Sequence, residues 1–164
     1  MTEIDHENRQ PSSNSDASTN ERRLDWLAEH RNRLNIATQE TRFNILQKII
    51  GHPKQLPTLK ELDYFMLDVS SSTIRNHLET LVDAGLVARV TLPEDQRTRD
   101  NPHVFYGLTE EGRAALKDAN LLKAEEVAQE ATLSVDVPRD VKGYMQAPRP
   151  KWKPANVYDP ETKD

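Results

Sequence analysis

Cysteine is absent from the 164 residues, which excludes disulfides, thiolate metal sites and cysteine nucleophiles. Aromatic residues make up only 5% of the chain, and no apolar run approaches the roughly twenty residues a bilayer crossing needs. No membrane span is expected. Glycine is scarce, at five residues, and none belongs to a phosphate-cradling loop, a Gly-x-Ser-x-Gly elbow or a His-Glu-x-x-His helix. The five histidines are scattered. The acidic pairs Glu110-Glu111 and Glu125-Glu126 read as helix N-terminal charge or as solvated faces. No catalytic set, metal site, cofactor or small-molecule ligand is evident, so an enzyme is not expected. The N-terminus lacks the basic start and apolar segment of a secretory signal, so a cytoplasmic protein is expected.

Positive charge is also in short supply. The net charge is -5, awkward for a nucleic-acid binder, because Lys and Arg usually provide most of the non-specific affinity for phosphate. Between Glu40 and Asn120 ten basic residues face twelve acidic ones. The distribution of charge, rather than its total, has to decide.

What is present is helical periodicity followed by two short β-like runs. Residues 1–20 are Ser, Asn, Asp and Glu-rich and are expected to form a disordered tail. A domain with flanking helices is expected over 21–131, and an extended or disordered tail over 132–164, where five prolines break the pattern. Leu24, Leu27 and Leu34, with Trp26 beside them, predict an amphipathic first helix. Thr38 is the expected N-cap of a second, with Phe43, Leu46, Ile49 and Ile50 inside and Gly51-His52-Pro53 as its stop. Thr58 and Glu61 have capping-box spacing. Ser70 offers the next N-cap, ahead of a helix over about 71–84 with Ile74, Leu78, Leu81 and Val82 inward and Gly85 as its left-handed end. Strands are expected in 86–92 and 103–108, around a polar loop from Pro93 to Pro102. Thr109 then caps a final helix through Leu116, Leu121, Leu122 and Val127, with a bend at Asn120.

Helix, helix, turn, helix, strand, loop, strand, helix is the order of a winged helix-turn-helix: mainly α with a small β-hairpin, the wing spanning 87–108. In that architecture the last helix before the strands enters the major groove of double-stranded DNA. Ser71, Ser72, Arg75 and Asn76 lie near its N-terminus, away from Ile74 and Leu78, where the helix dipole also favours phosphate. Arg75 is suited to fork onto guanine and Asn76 onto adenine, whereas the serines suit phosphate. Taken alone, such a face is more often merely solvated; the surrounding order of elements favours the DNA reading. His77, next to Leu78, reads as a packing or hydrogen-bonding residue. In the loop, Arg97 and Arg99 sit nearest the tip, with Arg89 and His103 flanking, although Glu94, Asp95 and Asp100 offset their charge.

The segment Thr58–Leu116 resembles the ArsR-like winged-helix regulators. The residues that carry the likeness are Leu59 and Leu62, the run Ser70–Val87 with Thr73, Ile74, His77, Leu78, Leu81, Ala84 and Gly85, and the run Tyr106–Gly112. The wider pattern, with Thr38–Phe43, Leu56–Glu61 and Ala147–Pro150, is similar to winged-helix proteins of haloarchaea over about residues 24–150. The resemblance implies transcriptional regulation by a homodimer on two DNA half-sites, and an acidic surface suited to a salty cytoplasm. It departs from metal-sensing relatives in having none of their cysteine pairs. Dimerisation is expected through the Leu24-Leu27-Leu34 helix and the Leu122-Val127 helix. The rival reading is a winged-helix module that binds protein without specific DNA binding.

Overall fold

A computed structural model describes residues 13–152. The chain divides at Asn32 into two units, and helix α1 (Ser13–Thr38) runs through the division. In the first unit Trp26 and His30, one turn apart, stack with ring centroids 5.1 Å apart. Leu24, Trp26 and Leu27 are each more than half exposed. Of the tail expected to be disordered, 1–12 lies outside the described residues, while 13–20 already belongs to α1. That helix is polar at its start and acquires its apolar positions only from Leu24 onward, which is why composition alone favours disorder there.

In the second unit the end of α1 places Ala37 in the main core. Thr38 is not the cap of the next helix. Its hydroxyl donates to the Leu34 carbonyl at 2.6 Å, and Gln39 caps α2 (Glu40–Gly51) by accepting from the Arg42 amide at 2.9 Å. The break between the two helices is so short that the cap falls one residue later. Helix α2 buries Ile45, Leu46, Ile49 and Ile50 and ends at His52; Phe43, expected inside, is only half-buried.

The capping box is complete: the Thr58 hydroxyl accepts from the Glu61 amide at 3.2 Å, and the Glu61 carboxylate accepts from the Thr58 amide at 2.6 Å. It starts α3 (Leu59–Phe65). Ser70 accepts from the Thr73 amide at 3.3 Å and starts α4 (Ser71–Asp83), whose inner face is Ile74, Leu78 and Leu81. Gly85, at φ 75°, ends it. The Leu86 amide reaches back to Leu81 and the Gly85 amide to Val82, both at 3.0 Å, a Schellman closure that turns the chain into the hairpin.

Strands β1 (Val87–Thr91) and β2 (Val104–Leu108) pair antiparallel, Arg89 opposite Tyr106 and Val90 opposite Phe105. A 3-10 turn, Glu94–Gln96, shapes the tip. Thr109 caps α5 (Glu110–Asp118). The expected bend is a full break: Asn120 takes φ 64°, and a separate helix α6 (Glu125–Ser134) follows. It packs on α2, with the Gln129 amide nitrogen donating to the Ile50 carbonyl at 3.3 Å. The architecture is a winged helix-turn-helix.

The C-terminal tail departs most from expectation. It holds a helix, α7 (Arg139–Gln146), docked on α3 through Lys60, which pairs with Asp140 at 3.2 Å and lies over the Tyr144 ring at 4.7 Å. Beyond it Ala147 is buried and Trp152 half-buried. The prolines punctuate this segment. Pro138 precedes the first turn of α7, where a missing amide costs nothing, and Pro148 and Pro150 hold Arg149 in extended chain. Residues 153–164 lie outside the described residues. Among the described residues no helix is long and apolar enough to cross a membrane.

Candidate nucleic-acid interface

Helix α4 is fixed from below by its three buried residues and from the side by α2. Arg42 reaches across, its Nη1 3.4 Å from His77 Nδ1, while its Nε donates to the Ile36 carbonyl at 2.6 Å. Arginine can only donate, so Nδ1 accepts and the imidazole is neutral in this contact. Burial, then the charge of Arg42, holds the His77 pKa below the ordinary histidine range. His77 thus has the hydrogen-bonding role its position suggests.

The opposite side of α4 faces solvent. Ser71, Ser72, Arg75 and Asn76 are all exposed, but they are not equally free. Ser71 donates to the Asp63 carboxylate at 2.6 Å, which occupies its hydroxyl and places an anion beside it. Ser72 lies 3.2 Å from the hydroxyl of the capping Ser70. Among the described residues, no hydrogen bond or ion pair engages the side chains of Arg75 and Asn76.

Between α4 and the hairpin lies an open groove of about 530 Å³, lined by Arg75, Glu79 and Asp83 from the helix and Arg89, Val104 and Tyr106 from the strands. Side chains alternate across a strand. Arg89 and Tyr106, directly paired, therefore share the face that looks toward α4. Arg89 thus joins Arg75 on one surface, a placement legible only once the strand register is known. Glu79 and Asp83 stand one and two turns beyond Arg75, so positive charge is concentrated at the N-terminal end of the helix.

At the wing tip the two arginines differ. Arg97 is tied inward, its Nε donating to the Leu92 carbonyl at 2.8 Å, where it helps close the loop. His103 is likewise within 2.8 Å of the Thr98 carbonyl. Arg99 is exposed, and among the described residues nothing pairs with it. The surface thus brings together Arg75, Asn76 and Arg89, with Arg99 at the projecting tip.

A helix-turn-helix domain family matches residues 37–90, from the end of α1 into β1. No curated protein matches the chain. Among solved structures, a protein with a GntR superfamily winged-helix-turn-helix domain from Halomicrobium mukohataei is similar over 90% of this chain and 94% of its own, with a TM-score of 0.68 and 23% identity. At that identity the likeness speaks to the fold. The match and the architecture together support a DNA-binding regulator in general terms.

Proposed function

We propose that the chain is a sequence-specific DNA-binding transcriptional regulator, with the first turns of α4 in the major groove and the wing against the flanking backbone. The observation that carries this reading is the pair Arg75 and Asn76, exposed, unengaged among the described residues, and held at the N-terminal end of a helix anchored on its other side. Arg75 reads guanine and Asn76 adenine, while Arg89 and Arg99 meet phosphates. Ser71, Ser72 and Arg97 take the smaller part of setting register. No catalytic role is assigned.

The finer reading is an ArsR-like, haloarchaeal-type, cytoplasmic regulator acting as a homodimer on a roughly palindromic site. Exposure of Leu24 at 65% and Leu27 at 52% favours an apolar helix face that a second copy covers. Selection of binding sites from a random duplex pool tests the proposal. The wild-type chain should enrich a defined motif, and Arg75→Ala should lose preference at one base of each half-site, worth about 1–3 kcal/mol of discrimination.

The reading as a protein-binding module draws on Glu79 and Asp83 in the same groove and on Leu67, 85% exposed in the turn before α4. A pool that enriches nothing, with α4 intact by circular dichroism, would favour it.

A further inference from the structure

The two faces of the hairpin do different things. One, with Arg89 and Tyr106, looks toward α4 across the groove. The other, with Val90 and Phe105, closes a small second core together with Leu56, Leu92 and Trp152. That second core is separate from the main one, and it contains the last described residue of the chain.

Four contacts bind Arg149 and Trp152 to this core and to α3 beside it. The Arg149 guanidinium donates through Nη2 to both oxygens of Glu61 at 2.8 Å, and through Nε to the Leu56 carbonyl at 3.1 Å. Its Cζ lies over the Phe105 ring, 4.8 Å from the centroid. Trp152 occupies the space above Gly107, where a Cβ would stand 2.6 Å from the indole nitrogen and 2.7 Å from Leu56 Cδ2. Arg149 therefore touches α3, the linker before it and β2 at once. None of Phe105, Gly107, Arg149 and Trp152 lies within the matched helix-turn-helix segment 37–90.

We propose that Ala147–Trp152 is a strap that positions the wing, clamping the back of the hairpin to α3 so that its front keeps a fixed angle to α4. The function of the strap rests on the DNA-binding reading above; its mechanical part does not. The helix-turn-helix is held by the main core, in which Ile74, Leu78 and Leu81 pack with Ile45 and Leu46. On its front the hairpin meets that core through Val87, Tyr106 and Leu108, whereas its back, Val90 and Phe105, is supported by the small cluster behind it. A backbone bond from the Tyr106 amide to the Pro57 carbonyl, 2.9 Å, runs along the same seam. Arg149 and Trp152 are thus positioning residues for Arg89 and Arg99.

Two mild variants test this without dismantling the fold: Trp152→Ala, which empties a half-buried site, and Arg149→Lys, which keeps the charge but loses the planar fork. Hydrogen exchange on the full chain without DNA is the first readout. The Tyr106 amide should exchange about tenfold faster in both variants, while the Leu78 and Leu81 amides stay within about twofold of wild type. The second readout is affinity for the selected duplex. Trp152→Ala should weaken binding about fivefold; Arg99→Ala should then add little, whereas Arg75→Ala keeps its full effect, as coupling through a shared element requires. Unchanged Tyr106 exchange in both variants overturns the strap. So does strict multiplication of the Trp152 and Arg99 effects. If the wild-type chain selects no duplex, the functional reading fails, and the exchange result still decides the strap.

Discussion

Arg42 Nη1 meets His77 Nδ1 at 3.4 Å, so the helix that carries the candidate DNA face is held to α2 through an imidazole that must be unprotonated to accept. Burial and the nearby guanidinium lower the His77 pKa. The unfolded chain therefore takes up the proton more readily, and stability falls as pH drops through about 6.5, the ordinary histidine value. His77→Gln keeps an acceptor but does not titrate. Thermal melts between pH 8 and 5.5 should show a steeper loss for wild type than for His77→Gln; parallel curves would remove the imidazole from the account.

Glu61 is wholly buried yet ionised, and every part of its carboxylate is used. It accepts from His52 Nε2 at 2.8 Å, from the Thr58 amide at 2.6 Å and from Arg149 at 2.8 Å. The Lys54 amide donates to His52 Nδ1 at 3.1 Å, which leaves the His52 proton on Nε2, facing Glu61. Burial pushes the Glu61 pKa up, but the His52 and Thr58 hydrogen bonds and the Arg149 charge outweigh it, and the pKa lies below the ordinary glutamate range. Its contribution to stability is therefore complete above about pH 4.3 and is lost as pH falls from there toward the folded value.

Arg149→Met should expose the cost of this arrangement. It strands a buried carboxylate, worth about 3–5 kcal/mol by comparison with other broken buried pairs. Adding Glu61→Gln removes the stranded charge and keeps an oxygen for the capping box, so the double variant should be more stable than Arg149→Met alone. Urea denaturation of the three chains measures the order, and a double variant weaker than the single would show that the pair is not coupled.

This ion pair also marks where the sequence stops being readable. Local signals are legible because their physics is local. Thr58 with Glu61, Ser70, and Gly85 at its positive φ each act within a few residues, and each sits where its spacing places it. Arg149 meets Glu61 across 88 residues, and no periodicity announces such a partner. Prolines around it suggest disorder, when their effect is to hold it extended. Arg75 and Asn76 are readable as outward residues because Ile74 and Leu78 fix the helix phase. The confinement of Ser71 by Asp63 and of Arg97 by Leu92 is not, since each depends on how a turn folds back.

The proposed homodimer makes a prediction at α1. Leu24 and Leu27 are three residues apart, on neighbouring positions of one helix face, and both are more than half exposed. Burying two such side chains in a seam is worth about 1.5–3 kcal/mol each. Leu27→Glu should shift sedimentation from dimer to monomer at micromolar concentration and abolish cooperative occupancy of paired half-sites. Val127, 66% exposed on α6, belongs to the other candidate face. If Val127→Glu, and not Leu27→Glu, releases the monomer, the seam lies on α6.

Salt dependence follows from how few cations the interface can commit. Arg75, Arg89 and Arg99 are exposed, and among the described residues none of their side chains has a hydrogen-bond or ion-pair partner. The logarithm of affinity falls with the logarithm of salt by about 0.9 for each phosphate neutralised. Arg75 is committed to a base, so the two phosphate contacts of Arg89 and Arg99 give a slope of about -1.8 for one protomer and about -3.6 for a dimer on two half-sites. That is about a third of the slope of a strongly basic repressor, so affinity rests more on base contacts and packing, and binding should persist at high potassium chloride. Arg99→Ala should flatten the dimer slope by about two, one phosphate per protomer. A wild-type slope steeper than about -8 would mean that cations outside α4 and the wing are doing the binding.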